Sequence, residues 1–545
     1  MLKLLKNHPV ITICLFVAIM LLPNLEVLQV SIMEARNFIT AREMLNYNHW
    51  FLTTMNGVAR YQKPPLPSWL SAFSALLLVK KSVFVMRLPA VLMVMLASTF
   101  MYYFSKTILK GKTQSMINAL VLTTSFYVIG ITFEAPSDII THAFMFVAIY
   151  HLYKLFESET KLWLIVLKAG FFIGLSILAK GPISIYALLL PFLIAYGFSF
   201  KYKTLKQKLP YILSTISIGL VIGGSWYLYV KLQDSNVLNA TVAKETSSWN
   251  NYNVRPFYYY WSFFTQSGIW TIPAFISLLY PYLKKRVINY KVYKFSFIWT
   301  ITAVVLLSVI PMKKSRYLVP VLIPLALNTG FYIEYLFRKF KILKDKREIF
   351  PVYFNFGLIG LLGVAFPIVM FAFFKVELQN HLLNFVTASM VLFVIGVLIL
   401  LQLKFKNIKN VFLLTVVFFA SIFMFVLPLS KAFKNEEFKS LSTLKIENKK
   451  RGINIYAFNY IAPETIWDYG AVMPQINQIE NRYVFPPDNT FGIVVNTMSS
   501  ENKTEILSKY NIIEIANYDL NYFGSTSNQN NPRLKSVLYI LERKD

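Results

Sequence analysis

Apolar residues run in stretches of about twenty positions along most of the chain, a spacing that suits helices crossing hydrocarbon at about 1.5 Å per residue. These runs fall near 8–30, 83–104, 114–132, 139–156, 162–178, 182–199, 209–230 and 263–283, then near 295–311, 317–337, 350–374, 381–403 and 411–430. The pattern predicts an all-α polytopic membrane protein with about 13 transmembrane helices. The stretch Leu66 to Val79 is only 14 residues long and follows Lys63-Pro64-Pro65, so it reads as a juxtamembrane or re-entrant helix. The run after Met1-Leu2-Lys3-Leu4-Leu5-Lys6 lacks a small-residue cleavage site and continues to Val27 and Val30, which suggests an uncleaved first span.

From residue 432 the pattern shortens: 13 Lys+Arg balance 13 Asp+Glu, and Asn, Tyr and Ser become frequent. Asn454 to Phe458, Phe491 to Asn496, Ile512 to Ala516 and Ser536 to Leu541 read as strands, and Ser500 to Tyr510 as a helix. A small soluble α/β domain at 432–545 is expected on the outer side, after a transmembrane domain at 1–431 with outer loops 31–82 and 231–262.

Charge settles the expected orientation. The chain has 55 Lys+Arg against 26 Asp+Glu, a net charge of +29, yet is 56% hydrophobic with mean hydropathy +0.50. That combination excludes disorder and ordinary soluble folds. The basic residues cluster at 1–7, 105–113, 154–161, 200–208, 284–294, 338–349 and 404–410, all on one side if the N-terminus is cytoplasmic. The charge is thus a topology signal, and no nucleic-acid partner is expected. Counting Leu66 to Val79 as a span would reverse every later loop, although Lys80-Lys81 is a small contrary signal. The single cysteine, Cys14, lies in an apolar run, so no intrachain disulfide can form and the redox compartment stays unread.

Charges outside the basic clusters carry the functional information, because placing them near hydrocarbon is costly. The first outer loop reads Met33-Glu34-Ala35-Arg36, then Ala41-Arg42-Glu43-Met44, then Asn56-Gly57-Val58-Ala59-Arg60-Tyr61-Gln62-Lys63-Pro64-Pro65. Further on come Ala135-Pro136-Ser137-Asp138, Leu178-Ala179-Lys180-Gly181-Pro182, Trp249 with Arg255-Pro256-Phe257-Tyr258-Tyr259, and Lys313-Lys314-Ser315-Arg316-Tyr317-Leu318-Val319-Pro320. The charge-derived topology places all of these on one side, although they span nearly three hundred residues.

Over about residues 1 to 330 this pattern resembles the polyprenyl-phosphate sugar transferases of the C-type fold, the lipid A aminoarabinose transferases and protein O-mannosyltransferases. Their signature is roughly Asp-Glu-x-Arg-Tyr, then Arg-Glu-Met, then Lys-Pro-Pro. The resemblance implies a bacterial inner-membrane enzyme that moves a sugar from a polyprenyl phosphate to lipid A, another envelope glycolipid or a protein at the periplasmic face. Its partners would be that donor, the acceptor and membrane lipids. An oligosaccharide ligase of the same fold is a rival reading. A secondary transporter is a further one, but it needs midplane charges and a repeat relating two halves, neither of which is visible.

A leaving polyprenyl phosphate needs charge stabilisation more than protonation. Lys63, Arg255 and Arg316 are expected to clamp it, with Arg36, Tyr317, Lys313 and Lys180 as further donor-side candidates. Any one such cation also suits snorkelling to lipid headgroups. Glu34, oriented by Arg36, and Asp138 are expected to serve the acceptor as base or orienting group, with inversion at the sugar. The bland alternatives are a local ion pair for Glu34 and a helix cap for Asp138. Tyr61, Trp69, Tyr258, Tyr259 and Tyr317 suit an interfacial belt better than a dedicated groove.

The chain departs from the family in two ways. Met33 stands where the first acid of the pair is expected, which favours an acceptor that is already an anion. Gln62 and Asn253 stand where the aminoarabinose branch has a Glu and a His associated with a metal, so no metal and no cofactor are expected.

Overall fold

A computed structural model describes residues 7–79, 81–479, 482–524, 527, 528 and 530–544, without the side chains of 248–250, 449, 479 and 482. Met1 to Lys6, Lys80 and the Trp249 side chain, all invoked above, lie outside the described residues. The chain is a mostly helical membrane protein. Among the described residues eight helical segments are long and apolar enough to cross a membrane, or nine if one bent pair counts as a span.

The first helices are α1 (Pro9–Leu21), α2 (Ile32–Tyr47), α3 (Leu66–Leu77) and α4 (Val83–Leu109). The bent pair α5 (Lys112–Thr123) and α6 (Phe126–Glu134) follows, then α7 (Pro136–Glu157) and α8 (Leu162–Lys180). Next come α9 (Leu205–Gln233), α10 (Ser235–Asn251) and α11 (Val319–Lys339).

Among the described residues fewer segments than the thirteen expected spans reach span length in one unbroken helix, for local reasons. The first expected run holds only the short α1, and Ile185–Ser199 is likewise short. The run 263–283 is broken into Phe263–Trp270, Thr271–Leu278 and Tyr280–Leu283, with Gly268 at φ 67 inside the break. The expected runs 350–374 and 381–403 fall in one helical stretch, Lys346–Lys404. Within it Lys346–Leu378 and Leu382–Lys404 are two helices that turn at Gln379–His381 and pack side by side, with Gly396 against Gly360 and Gly363.

Helix ends follow from sequence. Ser31 caps α2 by accepting from the Glu34 amide at 3.2 Å, while Glu34 Oε2 accepts from the Ser31 amide at 3.0 Å, a reciprocal box. Asn48 stops the helix in the left-handed region at φ 61. Pro136 fills the first position of α7, where its missing N–H costs nothing. Close helix crossing needs small residues: a Cβ on Gly174 of α8 would lie 2.5 Å from Ile222 Cβ of α9, and one on Gly223 would meet Ile177 at the same distance.

The C-terminal residues form a four-stranded sheet from β1 (Asn454–Phe458), β2 (Thr490–Val495), β3 (Tyr510–Asp519) and β4 (Lys535–Arg543), in the order β1-β2-β4-β3. β1 and β2 run parallel and the other pairs are antiparallel. The helix expected at 500–510 forms at Ser500–Lys509. This unit rests on the first outer loop. Asn56 exchanges two hydrogen bonds of 2.7 Å with the Met473 main chain, and Gln29 donates to the Leu520 carbonyl.

Candidate active site

The Arg-Glu-Met segment on α2 builds the scaffold. Glu43 accepts from Thr54 Oγ1 and the Asn56 amide, both at 2.6 Å, and from the Gly57 amide at 3.2 Å, which fixes the hairpin leading to Lys63. Arg42 donates to the carbonyls of Ile466, Trp467 and Ala471 at 3.0 to 3.3 Å, tying the sheet unit to the membrane bundle. Burial with these neutral acceptors lowers its guanidinium to about 10. Further along the loop, Tyr61 donates to Asp234 at 2.9 Å, which joins the segment after α2 to the start of α10. Burial and that bond push the Tyr61 hydroxyl up to about 12.

Glu34 is fully buried, and its partner is Arg87 of α4 rather than the expected Arg36. Arg87 holds it bidentately, Nε to Oε1 at 2.7 Å and Nη2 to Oε2 at 2.9 Å. Its other donors reach the carbonyls of Leu25, Leu28 and Gln29 at 2.6, 2.9 and 3.2 Å. With the Ser31 amide also bound, the Glu34 carboxylate is closed off from any substrate in this conformation. Arg87 is a charge inside an apolar helix, the usual warning of a special role, but no motif or spacing in the sequence links it to Glu34.

Asp138 in the first turn of α7 is 2% exposed and is bonded by Lys180 from the end of α8. Around this pair other cations gather. Burial pushes the Lys63 ammonium well below the usual lysine value, and the charges of Lys180, Arg60 and Arg316 add to the effect while Asp138 opposes it. Arg60, donating to Thr40 Oγ1 at 3.1 Å, is lowered to about 10 by burial and by Arg36. Lys314 is lowered by burial and by Arg316, Lys180 and Arg36, with Glu245 of α10 opposing. Tyr317 forms one wall, its ring centroid 5.2 Å from Lys180 Nζ and 5.8 Å from Arg316 Cζ.

Arg36, Arg60, Lys63, Lys180, Lys314 and Arg316 therefore sit within one another's fields, against the carboxylates Asp138, Glu134 and Glu245. Arg316 Nε is buried without a hydrogen-bond partner, and the Lys63 ammonium has no acceptor among the described residues. An excess of cations with spare donors suits a multiply charged anion.

Two expected clamp residues stand apart. Lys313 is 3% exposed and places its ammonium on the carbonyls of Ile310, Arg255 and Pro311 at 2.6, 3.0 and 3.5 Å. It braces the loop and has no donor left for a phosphate. Arg255 is exposed and contributes its main chain, donating its amide to the Pro311 carbonyl at 3.2 Å. Arg60 and Lys314, not among the expected site residues, join the cluster because the folded hairpin and loop bring them near Lys63 and Arg316, a proximity that the linear sequence does not display.

The residues at the metal positions do not suit a metal. Gln62 and Asn253 both carry exposed neutral amides, which are poor metal ligands, and the Asn253 main-chain carbonyl accepts from the Lys313 amide at 3.1 Å. Among the described residues no three His, Cys, Asp or Glu groups converge as a ligand set.

Residues 62–227 match the sequence profile of the dolichyl-phosphate-mannose-protein mannosyltransferase family. The chain is 24% identical over 309 residues to an uncharacterized protein of Aquifex aeolicus, covering 54% of this chain and 58% of that one. It is 23% identical over 348 residues to the undecaprenyl phosphate-alpha-4-amino-4-deoxy-L-arabinose arabinosyl transferase 1 of Proteus mirabilis, covering 62% and 61%. These matches thus span about three fifths of the relatives' length. Among solved structures, ArnT from Cupriavidus metallidurans bound to undecaprenyl phosphate superposes with a TM-score of 0.66 at 13% identity over 98% of this chain and 97% of that one. The chain has the C-type glycosyltransferase fold. Within that class it resembles the lipid A aminoarabinose transferases.

Proposed function

We propose that the chain is a glycosyltransferase that takes a sugar from a polyprenyl phosphate and passes it to lipid A, another envelope glycolipid or a protein at the periplasmic face of a bacterial inner membrane. The observation that carries this is the cluster of six cations, drawn from three separate segments of the chain, around Asp138. The ArnT neighbour, of the same fold, is described as bound to undecaprenyl phosphate, the kind of group such a cluster would hold.

In this reading Lys63, Arg316, Arg36, Arg60 and Lys314 hold the phosphate. As the acceptor oxygen, already an anion on a lipid phosphate or giving its proton to Asp138 when it is a hydroxyl, bonds to the anomeric carbon, the bond from that carbon to the phosphate oxygen breaks and its electron pair leaves on the polyprenyl phosphate. The growing negative charge falls among preplaced cations, so the barrier drops without a proton donor. Attack from the opposite face inverts the sugar. Asp138, held by Lys180, orients the acceptor. Glu34 is a positioning residue that locks the helix carrying Arg36 to α4 through Arg87.

The thirteen-span topology with a cytoplasmic N-terminus and a periplasmic α/β unit at 432–545 belongs to the same proposal, supported by the basic clusters. Mass spectrometry of lipid A and envelope glycoproteins from a gene deletion and its parent tests the function. Loss of one sugar-sized increment from either pool is the expected result, and identical pools would overturn the proposal.

A further inference from the structure

The basic clusters at 200–208 and 284–294 lie far apart in sequence and meet in the fold, because the helices Leu190–Ser199 and Tyr290–Val309 pack together. Lys294 Nζ donates to the Phe198 carbonyl at 3.4 Å, and Lys291 Nζ lies 4.8 Å from the centroid of the Phe200 ring. This corner is at the other end of the bundle from the cation cluster. Tyr196 of the same helix donates to Glu157 Oε1 at 2.7 Å. Glu157 closes α7, about 28 Å along the axis from Asp138.

A groove of about 450 Å³ starts at these lysines, lined by Leu193, Ile194, Gly197, Phe198 and Tyr202. The first four recur at one-turn spacing and so share a face of the helix. Gly197 keeps the floor of the groove low: a Cβ there would come within 3.0 Å of Tyr202 Cε2. The Tyr202 hydroxyl donates to the Leu193 carbonyl at 2.7 Å, which lays its ring along the helix as one wall. Phe198, 68% exposed, stands at the lysine end.

The charges here differ in how fully they are used. Lys208 is spent on the carbonyls of Phe156 and Ser158, at 2.7 and 2.9 Å, and Glu157 is taken by the Tyr196 hydroxyl. Lys294 uses one of its three N–H groups on the helix end, and the exposed Lys291 makes no hydrogen bond among the described residues. Lys201 and Lys203, on either side of Tyr202, are exposed and add to the positive field. Spare ammonium donors at the mouth of an apolar groove ask for an anion that carries a hydrocarbon chain.

We propose that this corner binds an anionic diacyl phospholipid, with its phosphate between Lys291 and Lys294 and an acyl chain in the groove over Gly197. A zwitterionic headgroup brings its own cation to the lysines and gains less from them. The site needs neither sugar donor nor acceptor, so it stands or falls apart from the transfer reading.

Native mass spectrometry of delipidated full-length protein, titrated with phosphatidylglycerol or phosphatidylcholine, reads the two affinities. Lys291→Gln with Lys294→Gln removes the charges and keeps an N–H for the Phe198 carbonyl. Lys284→Gln with Lys285→Gln, two exposed residues of the same basic cluster, is the charge-matched control. Phe198→Asn removes apolar lining and leaves every charge in place. Wild type is expected to hold phosphatidylglycerol about tenfold more tightly than phosphatidylcholine, the first variant to lose that preference and the control to keep it. Phe198→Asn is expected to weaken both lipids about threefold. No preference in wild type, an equal loss in the control, or unchanged affinities in Phe198→Asn would overturn the proposal. So would displacement of phosphatidylglycerol by glycerophosphoglycerol, the same headgroup without chains, at matched concentration.

Discussion

Glu34→Gln isolates the role of the buried pair. The substitution keeps the side-chain shape but removes the charge opposite Arg87, which is 1% exposed and surrounded by protein. An amide oxygen can still accept one guanidinium N–H, but the amide nitrogen faces the other at the position where Oε1 or Oε2 now accepts at 2.7 or 2.9 Å. Breaking a buried pair from one side costs about 3–5 kcal/mol, because the remaining charge stays desolvated. Arg87 retains the Leu25, Leu28 and Gln29 carbonyls, so the lower part of that range is expected. Removing both partners in Glu34→Gln with Arg87→Met should cost less than the sum of the single changes, with a coupling of about 2 kcal/mol. The assay is denaturant unfolding of purified protein in micelles for wild type, both single variants and the double variant. If Glu34→Gln leaves stability within about 0.5 kcal/mol of wild type yet abolishes sugar transfer, the positioning role is refuted and Glu34 belongs with the reacting groups.

Other consequences follow from the cation cluster. Lys63→Ala should lower kcat/KM for the lipid-phosphate donor about a hundredfold, and Lys63→Arg should recover much of it, as a steady-state transfer assay will show. The functional form of Lys63 is protonated and burial lowers its titration, so donor binding should weaken as pH rises through that lowered value. Lys63→Arg should move the alkaline fall to higher pH, because a guanidinium keeps its proton there. Asp138→Asn should cut kcat about a hundredfold while donor affinity holds, because Lys180 is then released to the phosphate. Treatment with a strong zinc chelator should leave the transfer rate unchanged, consistent with amides at Gln62 and Asn253.

The sequence showed the helical membrane architecture because apolar runs of span length and basic clusters are local signals. It showed less about where spans break. Gly268 at φ 67 interrupts an apolar run that hydropathy treats as continuous. The C-terminal strands alternate in a way that was visible, and the expected 454–458 strand coincides with β1. The site was legible as motifs and not as partnerships. Lys63, Lys180, Asp138 and Arg316 stand in unusual sequence contexts, and the fold brings them together. Arg87 and Glu34 lie 53 positions apart, and nothing in the spacing announces the ion pair. Lys313 and Lys314 are adjacent and look equivalent, yet one is consumed by carbonyls while the other faces Arg316, because successive residues of an extended segment point to opposite sides. Arg42 and Glu43 resemble part of a transferase signature, and here their contacts are to the chain itself.

If the cations around Asp138 hold a lipid phosphate, the protein must tell undecaprenyl phosphate from undecaprenol. Native mass spectrometry of the purified protein with each lipid reads that difference, with wild type set beside Lys63→Ala and Arg316→Ala together. Wild type is expected to retain the phosphate lipid and not the alcohol, and the double variant to lose this preference. Equal retention of the two lipids by wild type, or an undiminished preference in the double variant, would contradict it.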